Sequence, residues 1–168
     1  VGSGRWYRVD RLPSQHEALG PLARPPRVKL RIRQVDGAKK SDLLNRLHDE
    51  CFGDSAPLIE TNYGHHWVVF DKADPVGFAC LVKSTLAPDV GYLKRAGVLA
   101  KYRGKGLQRK LIAVREAQAR RNGWSQMITD TAFHNVQSSN NLIRAGYRLF
   151  EPGFRWGLTT GLYWVKDL

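Results

Sequence analysis

The sequence predicts one mixed α/β domain, of the α+β kind, built around a mostly antiparallel sheet. Three observations predict it. The chain has 168 residues and is 42% hydrophobic and 10% aromatic, enough apolar material for the core of a single domain and too much for wholesale disorder. Short runs with strand periodicity recur along it, while helical spacing of apolar residues appears in only three places. Polar turns of a few residues separate successive strands in the middle of the chain, as in a meander.

Residues 1–27 read as an extension. Pro13, Pro21, Pro25 and Pro26 break any helix, Arg5, Arg8, Arg11, Arg24 and Arg27 make the segment basic, and Trp6 and Tyr7 are its anchors. The domain proper is expected over 28–168. Val28, Leu30 and Ile32 alternate with polar residues as a half-buried strand does. Ser41 is placed to cap a helix over 42–52, whose Leu43, Leu44, Leu47 and Cys51 share a face and which Gly53 stops. Strands are expected at 66–70, 77–86 and 90–99, with turns at 71–75 and 87–89. A helix at 104–121 carries Leu107, Leu111, Val114 and Ala117 at helical spacing and ends in Asn122-Gly123. A strand at 127–133, a short helix at 136–144 closed by Gly146, and strands at 147–150 and 162–166 complete the order. The aromatic, Gly-rich stretch 156–164 is expected to form a hairpin.

Charge narrows the function classes. Twenty-seven Lys and Arg against fifteen Asp and Glu give +12, and ten cations opposed only by Glu116 put +9 of it into 94–123. A surface this basic favours polyanionic partners: nucleic acid, a phosphorylated cofactor or an acidic membrane face. No run of about 18 apolar residues exists, so no membrane span is expected. Cys51 and Cys80 are far apart and form no CxxC pair, which predicts reduced, buried thiols and a cytoplasmic protein. His65 and His66 have no third ligand at a metal-binding spacing, so no metal is expected.

The informative stretch is Val98-Leu99-Ala100-Lys101-Tyr102-Arg103-Gly104-Lys105-Gly106-Leu107. It leaves a strand, turns on two glycines and enters a helix. Such a turn aims unpaired N–H groups and the positive end of the helix dipole at its contents, and glycine lets a pyrophosphate approach the backbone. Arg103 and Lys105 add positive charge. It matches neither the GxxxxGK[ST] loop nor the three-glycine dinucleotide fingerprint. A phosphate-binding turn is favoured over a purely structural one.

This stretch resembles motif A, (Q/R)xxGx(G/A), of the GNAT superfamily of acyl-CoA-dependent N-acetyltransferases. Further on, Asn135-Val136-Gln137-Ser138-Ser139-Asn140-Asn141-Leu142-Ile143-Arg144-Ala145-Gly146-Tyr147 resembles that family's second signature, an Asn after the fifth strand followed by a helix closing in Gly-Phe or Gly-Tyr. The resemblance covers about residues 28–168. It implies a sheet with splayed central strands and flanking helices, and transfer of an acetyl group from acetyl-CoA to a primary amine by direct attack in a ternary complex.

The resemblance also implies roles. Main-chain groups of 96–99, including Gly97, Val98 and Leu99, would pair with the pantetheine arm. The turn with Lys101, Tyr102, Arg103, Gly104, Lys105, Gly106 and Leu107 would hold the pyrophosphate, and Asn135 the pantetheine. An N–H of Val98 or Leu99 would hold the developing oxyanion. Lys101 stands where Gln or Arg is usual and Ala100 where Pro is common. Leu142 stands where many members carry the Tyr that protonates the departing thiolate, which leaves Asn141, Ser138, Ser139 or a water for that task. His134 is the best-placed general base, with Asp130, Tyr92 and Asp89 nearby in the sequence. The acceptor is open: a small amine, a lysine, a protein N-terminus or an amine on a nucleic acid. Arg5, Arg8, Arg11, Arg24, Arg27, Lys29, Arg31 and Arg33 hint at an anionic one, and solubility explains them equally well. Monomer and homodimer both fit. The alternative is a non-catalytic module of this fold that binds acyl-CoA or nucleic acid, and Leu142 is the feature in its favour.

Overall fold

The computed structural model describes residues 30–53, 56–157 and 160–168; the expected extension at 1–27 and the start of the first strand lie outside them. The elements run β1 (Leu30–Val35), α1 (Ser41–Phe52), β2 (His65–Asp71), β3 (Asp74–Lys83), β4 (Val90–Tyr92), β5 (Ala96–Val98), α2 (Leu107–Arg121), β6 (Gln126–Ala132), α3 (Val136–Arg144), β7 (Arg148–Leu149) and β8 (Gly161–Asp167). One sheet takes the order β1-β2-β3-β4-β6-β8-β7, with β5 also paired to β3. Every pairing is antiparallel except β4 with β6.

Alternation along the strands gives the sheet two apolar faces. On one, Ala79, Leu81, Val98, Met127 and Trp164 pack against Leu107, Leu111, Ile112 and Ala119 of α2 and Leu142 of α3. On the other, Val68, Phe78 and Cys80 pack under Leu44 and Leu47 of α1. Farther along that second face, Val90, Ile128 and Val165 are covered by Phe150 and Trp156.

Several boundaries differ from the sequence reading, each for a local reason. Ser41 begins α1 rather than capping it. A single 3-10 turn, Ala38–Lys40, precedes the helix, Asp36 accepts the Lys39 N–H at 3.1 Å, and the Ser41 Oγ accepts from Thr61 at 2.9 Å. Asp74-Pro75 belongs to β3, not to the turn. Lys72 at φ 56° lets Asp71 and Asp74 face each other directly, and a register shift opposite Val69/Phe70 accommodates a proline that has no N–H to give. The segment 104–106 is turn, and α2 starts only at Leu107. Gly146 follows the last helical turn of α3 at φ 87°, and the Lys166 ammonium donates to the terminal Ala145 carbonyl at 2.7 Å.

The expected strand at 90–99 is broken in two. Val82 faces Tyr92 and Ala79 faces Ala96, so β3 advances three residues while its partner advances four. The extra residue is a bulge at 93–95. Arg95 accepts the Cys80 N–H at 2.7 Å, and the Cys80 carbonyl is reached at 3.3 Å by the fully buried guanidinium of Arg115 from α2. A buried cation thus supplies the donor that the bulge takes from the ladder.

Burial also sets the state of the two thiols. It pushes Cys51 up to about 11, against the opposing pull of Arg103, and Cys80 up to about 12. Both are therefore thiols rather than thiolates at neutral pH. At pH 7.5 the native protein is expected to react with a disulfide reagent on the order of a hundredfold more slowly than the unfolded chain. Equal rates in the two states would contradict this environment.

Candidate functional site

The bulge opens the sheet. β4 and β6 run side by side from Val90↔Gln126 to Tyr92↔Ile128, and the Leu93 N–H still reaches the Ile128 carbonyl at 3.0 Å. Beyond that point the strands part: β5 continues on β3, while β6 continues on β8 to Ala132↔Gly161. A fork therefore lies between Ala96–Val98 and the end of β6. Its apex is tied on both faces. Thr129 donates to the Leu93 carbonyl at 2.9 Å on the α2 side, and Tyr92 donates to the Asp130 carboxylate at 2.6 Å on the α1 side. Burial, the Asp130 charge and this hydrogen bond all push the Tyr92 hydroxyl up, so it stays protonated and a donor.

The ladder decides which main-chain groups face the fork. The Leu99 N–H donates to the Val76 carbonyl at 3.0 Å, and antiparallel alternation then turns Gly97 toward β3 as well. Ala96 and Val98 turn the other way, into the fork. The Val98 carbonyl there accepts from Arg103 Nε at 3.0 Å, leaving its N–H directed at the opening. Of Gly97, Val98 and Leu99, the three residues singled out in the sequence, Val98 alone offers both main-chain groups to the fork. Gly97 has a packing role: a Cβ on it would lie 2.7 Å from Cys51 Sγ and 2.8 Å from a Phe78 ring carbon.

At the end of β5 the chain makes a 3-10 turn over Ala100–Tyr102 and then the glycine turn. The Tyr102 and Arg103 N–H groups close that first turn on Leu99 and Ala100. Gly104 and Gly106 both have positive φ, 75° and 70°, and the first bond into the helix is Lys110 N–H to the Gly106 carbonyl. The N–H groups of Gly106, Leu107, Gln108 and Arg109 therefore precede the helical ladder. Gln108 and Arg109 extend the set read from the sequence. Lys101 and Lys105 are exposed, with their ammonium groups 5.8 and 4.8 Å from the Tyr102 ring, and Tyr102 is held by Asp71 at 3.1 Å.

The residues from the second signature are placed differently from one another. Asn135 caps α3, its Oδ1 accepting the Ser138 N–H at 3.1 Å. Ser139 is buried, donates to the Asn135 carbonyl at 3.2 Å and lies 3.5 Å from Thr131 Oγ1, itself bonded to the Trp164 indole. Asn141 folds back onto the Gln137 carbonyl at 2.9 Å. His134 is exposed in the turn after β6. Leu142 and Tyr147 are core residues. His65 bonds Gln34 and Asn122, while buried His66 contacts the Glu60 carbonyl. Among the described residues no group of three His, Cys, Asp or Glu is placed to hold a metal, and no helix is long and apolar enough to cross a membrane.

Two features were not legible as units in the sequence. One is the Tyr92–Asp130 pair, whose members are 38 residues apart. The other is Lys94, on the bulge, bonded to Glu60 at 2.5 Å and Tyr63 at 2.7 Å, which ties the 56–64 segment to the bulge. The Lys94 and Tyr63 hydrogen bonds hold the Glu60 carboxyl below its usual range. No periodicity signals contacts of this kind, because they depend on which loops the sheet brings together.

Comparison with known proteins agrees with this geometry. The sequence model described as Acetyltransferase (GNAT) family matches residues 32–147. No curated protein sequence matches the chain. Among solved structures, the chain is similar to an IAA acetyltransferase from Bacillus cereus, at 15% identity and TM-score 0.66, covering 83% of this chain and 99% of that one. It is equally similar, at 18% identity and TM-score 0.66 with the same coverage, to a Bacillus subtilis acetyltransferase in complex with CoA. A putative acetyltransferase from Salmonella typhimurium with its cofactor acetyl-CoA matches at 18% identity and TM-score 0.62, covering 82% and 93%. With a forked sheet, a glycine turn leading into α2 and a family match over most of its length, the chain belongs to the GNAT acetyltransferase family.

Proposed function

We propose that the chain is an acyl-CoA-dependent N-acetyltransferase that transfers the acetyl group of acetyl-CoA to a primary amine by direct attack in a ternary complex. The observation that carries this reading is the Val98 main chain turned into the fork beside the glycine turn. Ala96 and Val98 can pair with the amides of an extended pantetheine arm. The N–H groups of Gly106, Leu107, Gln108 and Arg109, with Lys101 and Lys105 around them, suit a pyrophosphate at a helix N-terminus. In this reading the Val98 N–H, not that of Leu99, stabilises the developing oxyanion, since Leu99 is engaged by Val76.

The new N–C bond forms as the C–S bond breaks, one proton leaves the amine and the thiolate takes one up. A CoA thiol with a pKa of about 8–9, by analogy with cysteine, is a fair leaving group. Asp130, at the apex, is bonded to Tyr92 and half-buried where His134 is exposed on its turn, which favours Asp130 as receptor for the amine proton. Ser139 and Asn141 are engaged within α3 and its cap, which favours a water as proton donor to the thiolate.

The test is steady-state release of free CoA thiol against a panel of small amines, polyamines, peptide N-termini and RNA-borne amines. RNA belongs in the panel because Arg31 and Arg33 are exposed on β1. Acceptor-dependent release supports the proposal. A second reading, an acyl-CoA-binding module without turnover, is favoured by Leu142, which is 4% exposed in the core and has no proton to give. Calorimetric binding of acetyl-CoA with no release for any amine would establish that reading instead.

A further inference from the structure

Two half-buried charges of opposite sign share the α1 side of the fork and are not paired with each other. Arg95 stands on the bulge, and its guanidinium leans on the Phe52 ring of α1, 5.9 Å from the centroid. Asp130 stands at the apex, with Oδ1 taken by the Tyr92 hydroxyl at 2.6 Å. Its second oxygen meets no donor among the described residues and faces Gly157, where a Cβ would overlap it. Neither Arg95 nor Asp130 has an ion-pair partner among the described residues. The neighbouring charges are already engaged: Lys94 with Glu60, and Arg155 with Glu151. Burial and Asp130 push the Tyr92 hydroxyl up while Arg95 pulls it down, so both charges act on that one group. A charge held partly out of water without a partner is costly, and a ligand of opposite sign offsets that cost.

We propose that the acceptor is a free amino acid, its ammonium held by Asp130 and its carboxylate by Arg95. The inference rests on the acyl-CoA reading above and selects one class among the amines that reading leaves open. A planar guanidinium takes a carboxylate bidentately, and the free oxygen of Asp130 is an acceptor for an ammonium proton. The other classes leave one charge unmet. A simple alkylamine, a peptide N-terminus or a protein lysine brings no carboxylate beside its amine, and the second ammonium of a polyamine would be repelled by Arg95. In the reaction Asp130 takes the ammonium proton, the freed lone pair forms the N–C bond as the C–S bond breaks, and the thiolate takes a proton from water. The carboxylate stays on Arg95 throughout, and the products are an N-acetyl amino acid and CoA.

The experiment measures kcat/KM for release of CoA thiol with amino acids of varied side chain and with the carboxamide of each, on the wild type, Arg95→Gln and Arg95→Lys. Thermal melts check that the variants fold; the Arg95 carbonyl that accepts the Cys80 N–H is main chain and survives both substitutions. The wild type is expected to favour the best acid over its carboxamide by at least about tenfold, the scale of a charged hydrogen-bonded pair, mainly through KM. Arg95→Gln should bring that ratio near one, and Arg95→Lys should restore part of it. Equal rates for acid and carboxamide, a ratio that Arg95→Gln leaves intact, or release only with alkylamines, peptides or RNA would overturn the inference while sparing the acyl-CoA reading. Acetyl-CoA binding without release for any amine would overturn both the inference and the transfer reaction it rests on.

Discussion

Gly106→Val is expected to abolish CoA binding and leave a folded domain. Gly106 caps α2 at φ 70° and ψ 13°, and Gly104 two residues earlier is at φ 75°. An L-residue in this left-handed region costs about 1–2 kcal/mol, and a β-branched one is a genuine outlier there. No atom lies within 4 Å of a Cβ built on either glycine, so no core contact is disturbed. The fall in Tm should be modest, about 2–8 °C for a chain of this size. The consequence falls on the turn. Either it relaxes to negative φ and misdirects the N–H groups of Gly106 to Arg109, or it holds and sets an isopropyl group where the pyrophosphate would approach. Calorimetry with CoA and a thermal melt on the same sample read both effects. Retained affinity in a folded variant would mean that the pyrophosphate binds elsewhere.

The second large effect is expected at Gly97, and here stability is what changes. Its missing side chain is filled by Cys51 from the last turn of α1 and by the fully buried Phe78 ring. Gly97→Ala would bring carbon within 2.9 Å of Cys51 Cβ and closer still to its sulfur. Overpacking of this kind costs about 1–3 kcal/mol, and α1 must lift from the sheet beside Val98 to relieve it. Denaturant melts should show the loss, and adding Cys51→Ala should recover part of it, because the sulfur is the nearest atom. A Gly97→Ala protein as stable as the wild type would mean that α1 does not pack against β5 as described.

The contrast between these glycines marks how far the sequence could be read. Gly104 and Gly106 stand between a strand run and a helical run, and that local punctuation is enough to identify a turn with free N–H groups. Gly97 lies inside an apparently continuous strand run, and nothing near it in sequence announces that Cys51 fills its place. The same divide separates α3, whose bounds at Val136–Arg144 follow from the Asn135 cap and Gly146, from the strand expected over 90–99. The apolar pattern persists through the bulge, so periodicity reports one strand where the ladder has two.

The candidate catalytic groups divide likewise. His134, Ser139 and Asn141 are chemically able and lie near the second signature, but orientation is fixed by partners: a helix cap for Ser139, the Gln137 carbonyl for Asn141, an exposed turn for His134. Asp130 and Tyr92 become a unit only because β4 and β6 are parallel neighbours for three residues and then part.

By itself, then, the sequence determined the order of helices and strands apart from the split of 90–99 into two, the glycine turn before α2 with its surrounding cations, and the family, because each is written in contiguous residues through spacing, glycine placement and charge. Tertiary structure alone decided where the sheet forks, that Val98 rather than Leu99 faces the opening, which carboxylate stands at the apex and that Arg95 shares its side of the sheet. Those outcomes depend on hydrogen-bond parity across strands and on packing between segments tens of residues apart, which no local pattern encodes.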